Sequence, residues 1–319
     1  MRALVTGGAG FIGSRFVRDL LAEGARVTVL DRLTYAGNLA NLEGCDRHTF
    51  VRGDIADPHL LASVLPGHDV VVNFAAETHV DRSIADPTAF LRTNVLGVQT
   101  LLDAARAAGV TTFVQISTDE VYGSIERGSW PETDPLRPNS PYAAAKAGAD
   151  LLCLAYHRTY GMDVRITRCS NNYGPRQHPE KLIPHFVTRL LTGRTVPLYG
   201  DGGNVRDWLH VADHCRGVRA VLAKGSPGEV YNIGGGTELT NVEMTRLLLD
   251  ACGADWSRVE RVPDRPGHDR RYAVDYTKIQ SLGYAPEVAF TEGLAATVAW
   301  YRDHPRWWAE TPTAAPPGS

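Results

Sequence analysis

A tyrosine and a lysine four residues apart are the first side chains in this sequence that could do chemistry together. They are Tyr142 and Lys146 in the segment SPYAAAK (residues 140–146), which follows a proline-rich stretch. In a helix this spacing places both side chains on one face. Because a nearby ammonium group stabilises a phenolate, we expect the pKa of Tyr142 to lie closer to neutrality than usual, so that Tyr142 can act as a base. Taken alone, such a pair is more often an ordinary exposed helix face.

Two adjacent carboxylates, Asp119 and Glu120, stand in the segment STDEVYG (residues 117–123), directly after an apolar strand candidate. The carboxyl ends of parallel strands are where such sheets bind ligands. Adjacent residues of an extended strand point to opposite sides, so both acids can reach one ligand only if the chain turns at this point. The alternative is a pair of acids on a solvated loop.

The segment TGGAGFIG (residues 6–13) follows the first strand candidate and opens the first helix. Gly8, Gly10 and Gly13 fit the pattern G-x-G-x-x-G, and Gly7, Gly10 and Gly13 fit a wider spacing. Glycines there permit a tight turn and the close approach of a pyrophosphate to backbone N–H groups. The segment therefore predicts a dinucleotide site, although glycine-rich turns also occur for purely structural reasons.

An acidic residue supports this interpretation. Asp31 ends the second strand candidate, eighteen residues after Gly13, where an acid accepts hydrogen bonds from the adenosine ribose. A carboxylate would repel a 2′-phosphate, so we expect NAD rather than NADP, although the adjacent Arg32 could pair with a phosphate. Asp54, after the third strand candidate, is expected beside the adenine, or alternatively as a helix cap. With a nicotinamide ring nearby, a catalytic role for Tyr142 becomes the favoured interpretation.

Short apolar runs alternate with helix-like segments, which is the pattern of a parallel βαβ sheet. Strands are predicted at residues 3–5, 27–30, 49–51, 70–74, 112–116 and 164–167. Helices are predicted at residues 16–22, 57–65, 87–108, 141–160, 184–192 and 241–251. The sequence thus predicts the α/β class, a Rossmann-type doubly wound parallel sheet with a second, smaller α/β substrate lobe.

Changes of composition along the chain predict its division. Residues 1–168 are assigned to the NAD-binding domain, to which a segment at about 208–236 could return. Residues 169–310 are assigned mainly to a smaller lobe built for substrate contacts. The tail at residues 311–319 lacks core-forming residues, and we expect it to be disordered.

The overall composition excludes several classes of protein. The chain has 319 residues, 43% of them hydrophobic and 22% charged, which is ordinary for a folded chain of about two domains. A formal charge of −3 argues against nucleic acid as a partner. No apolar run approaches the ~18 residues of a membrane helix, and no signal peptide is evident. Five scattered cysteines without C-x-x-C spacing predict reduced packing residues, no metal site and a cytoplasmic location.

The glycine loop and the Y-x-x-x-K pair resemble the extended short-chain dehydrogenase/reductase family over nearly the whole chain. Within that family, STDEVYG resembles the signature of the dTDP-glucose 4,6-dehydratases. Four more stretches agree with that group: FAAETHVDRS (74–83), RCSNNYGP (168–175), HPEKLIP (178–184) and NVRDWLHVAD (204–213). Thr78 and Ser170 differ from the residues of some relatives, which does not alter the expected chemistry.

The resemblance implies an NAD-dependent hydro-lyase that converts dTDP-glucose to dTDP-4-keto-6-deoxyglucose and water, in deoxysugar biosynthesis. It implies that Tyr142 takes the proton of the C4 hydroxyl, to which Thr118 hydrogen-bonds, while Lys146 holds the tyrosine and the ribose. Glu120 then removes the C5 proton, and a protonated Asp119 gives its proton to the departing C6 hydroxyl. Burial and mutual repulsion could give the two acids opposite protonation states. NAD is regenerated in each turnover, so it should stay bound and co-purify.

The resemblance also implies two sets of binding residues. Those expected at NAD are Gly7, Gly10, Phe11, Ile12, Gly13, Asp31, Asp54, Ile55, Ala75, Ala76, Asn94, Ser117, Tyr142 and Lys146. Those expected at the sugar nucleotide are His79, Ser83, Thr118, Asn171, Lys181, Leu182, Ile183, Pro197, Tyr199, Arg206, Asn241, Arg265 and His268. Arg206 is expected on the diphosphate, which suits its planar charged fork. For each residue of the second set the alternative is loop packing or surface exposure.

Two other functions remain open at this stage. A nucleotide-sugar 4-epimerase needs Tyr142 and Lys146 but not Asp119 and Glu120. A noncatalytic NAD-binding regulator usually loses the tyrosine or the lysine, and both are present. The Ala- and Leu-rich helices predicted at residues 87–108 and 141–160 resemble helices that pair into a four-helix interface in related proteins, which implies a homodimer.

Overall fold

The structure is a computed structural model that describes residues 1–264 and 266–309. Arg265 and the tail at residues 311–319, about which the sequence makes predictions, therefore lie outside the described residues. Within them the chain forms twelve strands: β1 (Arg2–Thr6), β2 (Arg26–Asp31), β3 (His48–Arg52), β4 (Val70–Asn73), β5 (Thr112–Thr118), β6 (Val164–Cys169), β7 (Asn171–Tyr173), β8 (Val196–Tyr199), β9 (Val205–His210), β10 (Val230–Ile233), β11 (Glu238–Thr240) and β12 (Val259–Val262).

Helices connect these strands. The α-helices are α1 (Phe11–Ala22), α2 (Pro58–Val64), α3 (Val80–Ala85), α4 (Thr88–Leu91), α5 (Val98–Ala107), α6 (Pro141–Tyr160), α7 (Leu182–Leu191), α8 (Val211–Lys224), α9 (Asn241–Cys252), α10 (Thr277–Gln280), α11 (Phe290–Asp303) and α12 (Pro305–Ala309). None of the helices in the described ranges is long and apolar enough to cross a membrane.

A seven-stranded sheet with the order β10-β6-β5-β4-β1-β2-β3 forms the centre of the fold. Every neighbouring pair in it is parallel. One apolar core on its surface includes residues of α1 and α8, and a second includes residues of α2, α5 and α6. Consecutive buried residues point into different cores, as Leu4 and Val5 of β1 and Val71 and Val72 of β4 do, so both faces of the sheet are covered. The expected doubly wound α/β class is confirmed.

Sheets of three strands (β11-β9-β7) and two strands (β12-β8) lie outside the large sheet. A third apolar core joins residues of α7, α9 and α11 around them. Strand β10 and helix α8 pack with the large sheet although they follow β7 in the chain, whereas β9 belongs to the three-stranded sheet.

The six predicted strands correspond to β1–β6, but the single helix predicted at residues 87–108 was wrong in its middle. There α4 passes into a π-helical turn, Arg92–Gly97, before α5 begins. A π turn adds a residue to the helical turn and is often found at functional sites. Here it carries the buried Asn94, whose side chain bonds both the N–H and the C=O of Glu77, each at 2.9 Å. Through Asn94, the π-helical turn thus holds the backbone of the segment that follows β4.

Local sequence signals define both ends of helix α6. The Ser140 hydroxyl caps its first turn by accepting a 3.1 Å hydrogen bond from the Ala143 N–H, and Pro141 occupies the first helical position. At the other end Gly161 adopts a left-handed conformation with φ +68°. This start places Tyr142 in the first turn and Lys146 one turn later.

Candidate active site

One cleft at the carboxyl ends of the central strands brings together most of the residues that the sequence singled out. From the predicted NAD set it is lined by Gly7, Gly10, Phe11, Ile12, Gly13, Asp31, Asp54, Ile55, Ala75, Ala76, Ser117, Tyr142 and Lys146. From the predicted catalytic and sugar-nucleotide sets it is lined by Thr118, Asp119, Glu120, Asn171 and Lys181. The cleft therefore joins the glycine loop to the acids after β5.

The glycine loop is shaped by close backbone contacts. Gly7 has φ +65°, and a Cβ there would lie 2.6 Å from the Ala75 nitrogen. A Cβ on Gly13 would lie 2.3 Å from the Gly7 carbonyl oxygen. Gly10 precedes α1 without a side-chain cap, and the first N–H groups of a helix have no intrahelical acceptors. Gly10, Phe11, Ile12 and Gly13 line the cleft, and a helix start of this kind is suited to an anion.

Asp31 and Asp54 both line the cleft, but their carboxylates have different partners. The Asp31 carboxylate accepts hydrogen bonds from the N–H groups of Ala9 at 2.9 Å and Leu33 at 2.8 Å. Asp54 forms a 3.2 Å ion pair with Arg32. The cap of α2 is Asp57, not Asp54, so the alternative of Asp54 as the helix cap does not hold.

The two adjacent acids reach the cleft because the chain turns immediately after β5. Residues Asp119–Tyr122 form a single 3₁₀ turn, and the Thr118 hydroxyl caps it by accepting a 3.3 Å hydrogen bond from the Glu120 N–H. The same hydroxyl donates a 3.2 Å hydrogen bond to Oδ1 of Asp119. The turn required for both carboxylates to face one ligand is therefore present.

Asp119 lies in surroundings that favour its neutral form. Its side chain is buried, and its Oδ2 atom has no hydrogen-bond partner. Burial raises the pKa of this carboxyl well above its usual range, and the nearby carboxylates of Glu120 and Asp207 raise it further. A carboxyl group that keeps its proton near neutral pH can serve as a general acid.

Tyr142 and Lys146 are both buried in the cleft wall. The hydroxyl of Tyr142 lies close enough to that of Thr118 for Thr118 to lower its pKa, and the backbone N–H of Tyr142 donates to the Ser83 hydroxyl at 3.1 Å. Lys146 donates from Nζ to the Ile116 carbonyl oxygen at 2.5 Å. These contacts fix the side chain of Lys146 and the backbone of Tyr142 on one face of α6.

The pKa of Tyr142 was expected to lie closer to neutrality beside Lys146 and a positive nicotinamide ring, and the protein on its own shows a shift in the opposite direction. Burial raises the pKa of Tyr142 well above its usual range, and the carboxylate of Glu120 raises it further. Burial also lowers the pKa of Lys146, partly offset by the carboxylate of Asp150. The spacing of the pair does not encode this burial, which sets the direction of both pKa shifts.

Three predicted binding residues act in the described structure as supports. Asn94 holds the backbone of Glu77, and Ser83 holds the N–H of Tyr142. His79 caps α3, because its Nδ1 accepts a hydrogen bond from the Arg82 N–H at 3.4 Å. None of the three lines the cleft.

The predicted nucleotide residues lie beyond the acids. Arg206 is buried in β9, its guanidinium 4.4 Å from the centre of the Tyr272 ring, and it donates to the Asp269 carbonyl at 2.9 Å. Its charge partly opposes the rise in the pKa of Asp119, so it lies within electrostatic reach of the acids. The ring of His268 packs edge-on against Tyr199, with 6.5 Å between their centres.

The other nucleotide candidates occupy elements of the same region. Asn241 begins α9 and is buried, whereas Pro197 lies in β8. Leu182 and Ile183 begin α7, and the side chain of Ile183 belongs to the apolar core rather than to the cleft. No group of three or more metal-ligating side chains occurs within residues 1–264 and 266–309.

The cleft also contains residues that the sequence analysis did not select. They include Thr34, Thr93, Asn172, Gln177, His178 and Glu180. Asn172, His178 and Glu180 fall within stretches that supported the resemblance, which was the one signal that could have identified them. Their side chains meet the glycine loop only through the tertiary fold.

Comparisons with known proteins agree with this geometry. The sequence model of a family described as GDP-mannose 4,6 dehydratase matches residues 4–297. The chain is 61% identical to the dTDP-glucose 4,6-dehydratase of Streptomyces antibioticus, with 100% of this chain and 99% of that protein covered. It resembles the crystal structure of the dTDP-glucose 4,6-dehydratase of Streptomyces venezuelae with NAD bound, at a TM-score of 0.97 and 63% identity, covering 98% of this chain and 100% of that one. It also resembles the crystal structure of the UDP-glucose 4-epimerase of Thermotoga maritima, at a TM-score of 0.90 but only 35% identity. The match covers 95% of this chain and 99% of the epimerase chain.

Proposed function

The chain belongs to the GDP-mannose 4,6 dehydratase family, and from this membership and the cleft we propose that it is a dTDP-glucose 4,6-dehydratase, an NAD-dependent hydro-lyase of deoxysugar biosynthesis. One observation carries the proposal. The buried carboxyl of Asp119, whose pKa is raised, lies beside Glu120 in the cleft that also holds Tyr142 and Lys146. An elimination of water needs an acid and a base at neighbouring carbons, which a simple epimerisation does not.

The residues of the cleft fit a dinucleotide. Because the glycines of the loop have no side chains, a diphosphate can approach the N–H groups at the start of α1. Asp31 lies at the end of β2, the position at which a ribose hydroxyl is bound. Arg32 is engaged by Asp54, which removes it as a partner for a 2′-phosphate and favours NAD over NADP. When bound, NAD accepts a hydride from C4 of the sugar and returns it to C6.

The protein supplies the proton transfers. Tyr142, helped by the hydrogen bond from Thr118 and by the charge of the nearby Lys146 and of the oxidised nicotinamide, takes the proton of the C4 hydroxyl. The resulting ketone acidifies the C5 hydrogen, which Glu120 removes. Asp119 gives its proton to the C6 hydroxyl, which leaves as water. As a hydride is delivered to C6, Glu120 returns its proton to C5, and the proton held by Tyr142 restores Asp119 through solvent. The net change is then the loss of one water, and the protein ends in its starting protonation state.

The nucleotide would be held on the far side of the acids. We assign the diphosphate to Arg206, because its planar charged fork suits a diphosphate and is buried within electrostatic reach of Asp119. Asn171 and Lys181 face the cleft and are assigned to the sugar and the phosphates. The remaining residues assigned to the nucleotide are Leu182, Ile183, Pro197, Tyr199, Asn241, Arg265 and His268.

A homodimer is part of this proposal. Leu91, Leu96 and Leu151 are each more than half exposed on α4, the π-helical turn and α6, three segments that pack together. Large apolar side chains exposed on adjoining helices are typical of an interface. We also place the protein in the cytoplasm, since Cys45, Cys153, Cys169, Cys215 and Cys252 are free thiols, four of them buried.

The assay is direct. The purified protein is incubated separately with dTDP-, UDP-, CDP- and GDP-linked glucose or mannose, and the 4-keto-6-deoxy product is followed by its ultraviolet absorbance in alkali. We expect product from dTDP-glucose above all others, without consumption of added NAD. Formation of the 4-epimer without a keto product would establish the epimerase instead. Binding of NAD without turnover of any sugar nucleotide would indicate a noncatalytic regulator.

A further inference from the structure

Glu180 is the least satisfied acidic side chain of the cleft wall. Its side chain is only 5% exposed, yet neither carboxylate oxygen has a hydrogen-bond partner. It lies in the loop between β7 and α7 and lines the cleft. A buried carboxylate without hydrogen bonds is costly unless it has a function or a partner that approaches it.

Two donors from another segment stand just outside hydrogen-bond distance. Nη2 of Arg82 is 3.7 Å and Nε2 of His79 is 3.6 Å from Oε2 of Glu180. Because Nδ1 of His79 accepts from the Arg82 N–H, the neutral ring carries its proton on Nε2, which faces Glu180. A movement of about 0.7 Å would convert both contacts into ordinary hydrogen bonds.

Arg82 extends this contact to a third segment. Its guanidinium stacks 3.8 Å from the centre of the Tyr35 ring, in the loop that follows β2. Tyr35 also packs edge-on against His178, with 5.4 Å between ring centres. The segments after β2, after β4 and after β7, each of which lines the cleft, thus meet at Arg82 and Glu180.

We infer that Arg82 and Glu180, together with Tyr35, form a closure that keeps the dinucleotide in its cleft. The inference rests on the proposed function, in which one NAD molecule must take a hydride from C4 and return it to C6 before it leaves. The ion pair of Arg82 and Glu180 holds together the three segments that line the cleft. The cofactor can therefore leave only after this ion pair has separated. Arg82 and Glu180 are therefore positioning residues rather than catalytic ones.

Exchange of the bound cofactor tests the closure. The purified holoenzyme is mixed with an excess of isotopically labelled NAD, and the label on the protein is followed with time by mass spectrometry. We expect Glu180→Gln and Arg82→Met to speed exchange at least about tenfold, and the double variant to exchange no faster than about the faster single one, since both break one contact. On dilution the single variants should lose activity that added NAD restores.

Two control variants separate the closure from general damage. Asp163→Asn removes the carboxylate of a 2.6 Å ion pair with Arg165 at the opposite edge of the sheet, and Tyr35→Phe keeps the ring on which Arg82 stacks. Both should exchange NAD within twofold of the wild type. If Glu180→Gln does not fold, Arg82→Met decides, because Arg82 is partly exposed.

The two proposals fail in different ways. A wild-type protein that carries no NAD and yields no keto product would overturn the proposed function. A wild-type protein that retains NAD and forms the product, with both single variants exchanging NAD within twofold of its rate, would overturn the closure alone.

Discussion

The Thr118 hydroxyl donates a 3.2 Å hydrogen bond to Oδ1 of Asp119, its neighbour in the chain. The same hydroxyl contacts the hydroxyl of Tyr142. A hydroxyl has one proton, so it cannot donate to the carboxylate and to a phenolate at once. When Asp119 is protonated, the Thr118 hydroxyl is free to donate its hydrogen bond to Tyr142 instead. The protonation state of Asp119 therefore influences the pKa of Tyr142.

Replacement of Asp119 should separate activity from stability. Its pKa is raised in the folded protein, so the folded state binds the proton more tightly than the unfolded state, and stability is lost as pH rises from the unfolded pKa through the folded one. Asp119→Asn cannot ionise. We expect it to form the keto product at least ~10²-fold more slowly, yet to unfold at a higher temperature than the wild type at neutral and alkaline pH.

The measurement is thermal unfolding across pH, with the rate of keto-product formation measured in parallel. The difference in melting temperature should shrink as pH falls toward the unfolded pKa of aspartate, about 3.9. A variant that is less stable than the wild type by the same amount at every pH would show that Asp119 is not held neutral.

Removal of the base at C5 should stop the reaction after its first step. Glu120→Gln keeps the size of the side chain but cannot take a proton, so we expect at least a ~10²-fold loss of keto-product formation. Oxidation at C4 does not need Glu120, and stopped-flow absorbance should therefore show reduced cofactor accumulating on the protein. Elimination at the wild-type rate would remove Glu120 from its assigned role.

Asp31 should set the choice of dinucleotide. We expect the wild type to bind NAD at least about tenfold more tightly than NADP, because a buried carboxylate repels a 2′-phosphate. Asp31→Ala should weaken NAD binding and narrow this preference, since it also removes the hydrogen bonds to Ala9 and Leu33. Fluorescence titration of cofactor-free protein provides the dissociation constants.

Arg32→Ala is the matched control for this titration. Because Arg32 is paired with Asp54 at 3.2 Å, its removal should change NAD affinity less than about threefold. A loss of NADP binding with unchanged NAD binding in this variant would instead show that Arg32 receives the phosphate.

Charged residues on the exposed leucines should separate the proposed dimer. Leu96 and Leu151 are 59% and 58% exposed, so Leu96→Glu with Leu151→Glu should not disturb the fold, but would bury two charges in an interface. Light scattering should give a dimer mass for the wild type and a monomer mass for the double variant. Trp256→Glu, at an apolar site on another element that is 46% exposed, should stay dimeric. A monomer mass for the wild-type protein in light scattering would contradict the proposed homodimer.

Local spacing determined much of this protein. A helix of 3.6 residues per turn places Tyr142 and Lys146 on one face wherever it lies, and a strand–glycine–helix sequence forms the loop at residues 6–13. The alternation of short apolar runs with helix-like segments likewise predicted where the first six strands lie in the chain. These features depend on residues close together in the chain.

Protonation and the edges of the cleft were decided only by the tertiary structure. The pKa of Asp119 is raised by burial and by Asp207, which is distant in sequence, and burial reverses the shift that the Tyr142–Lys146 spacing predicted. The contact of Arg82 with Glu180 joins segments almost a hundred residues apart. Desolvation and long-range charge depend on which segments pack together, and no local spacing in the sequence encodes that packing.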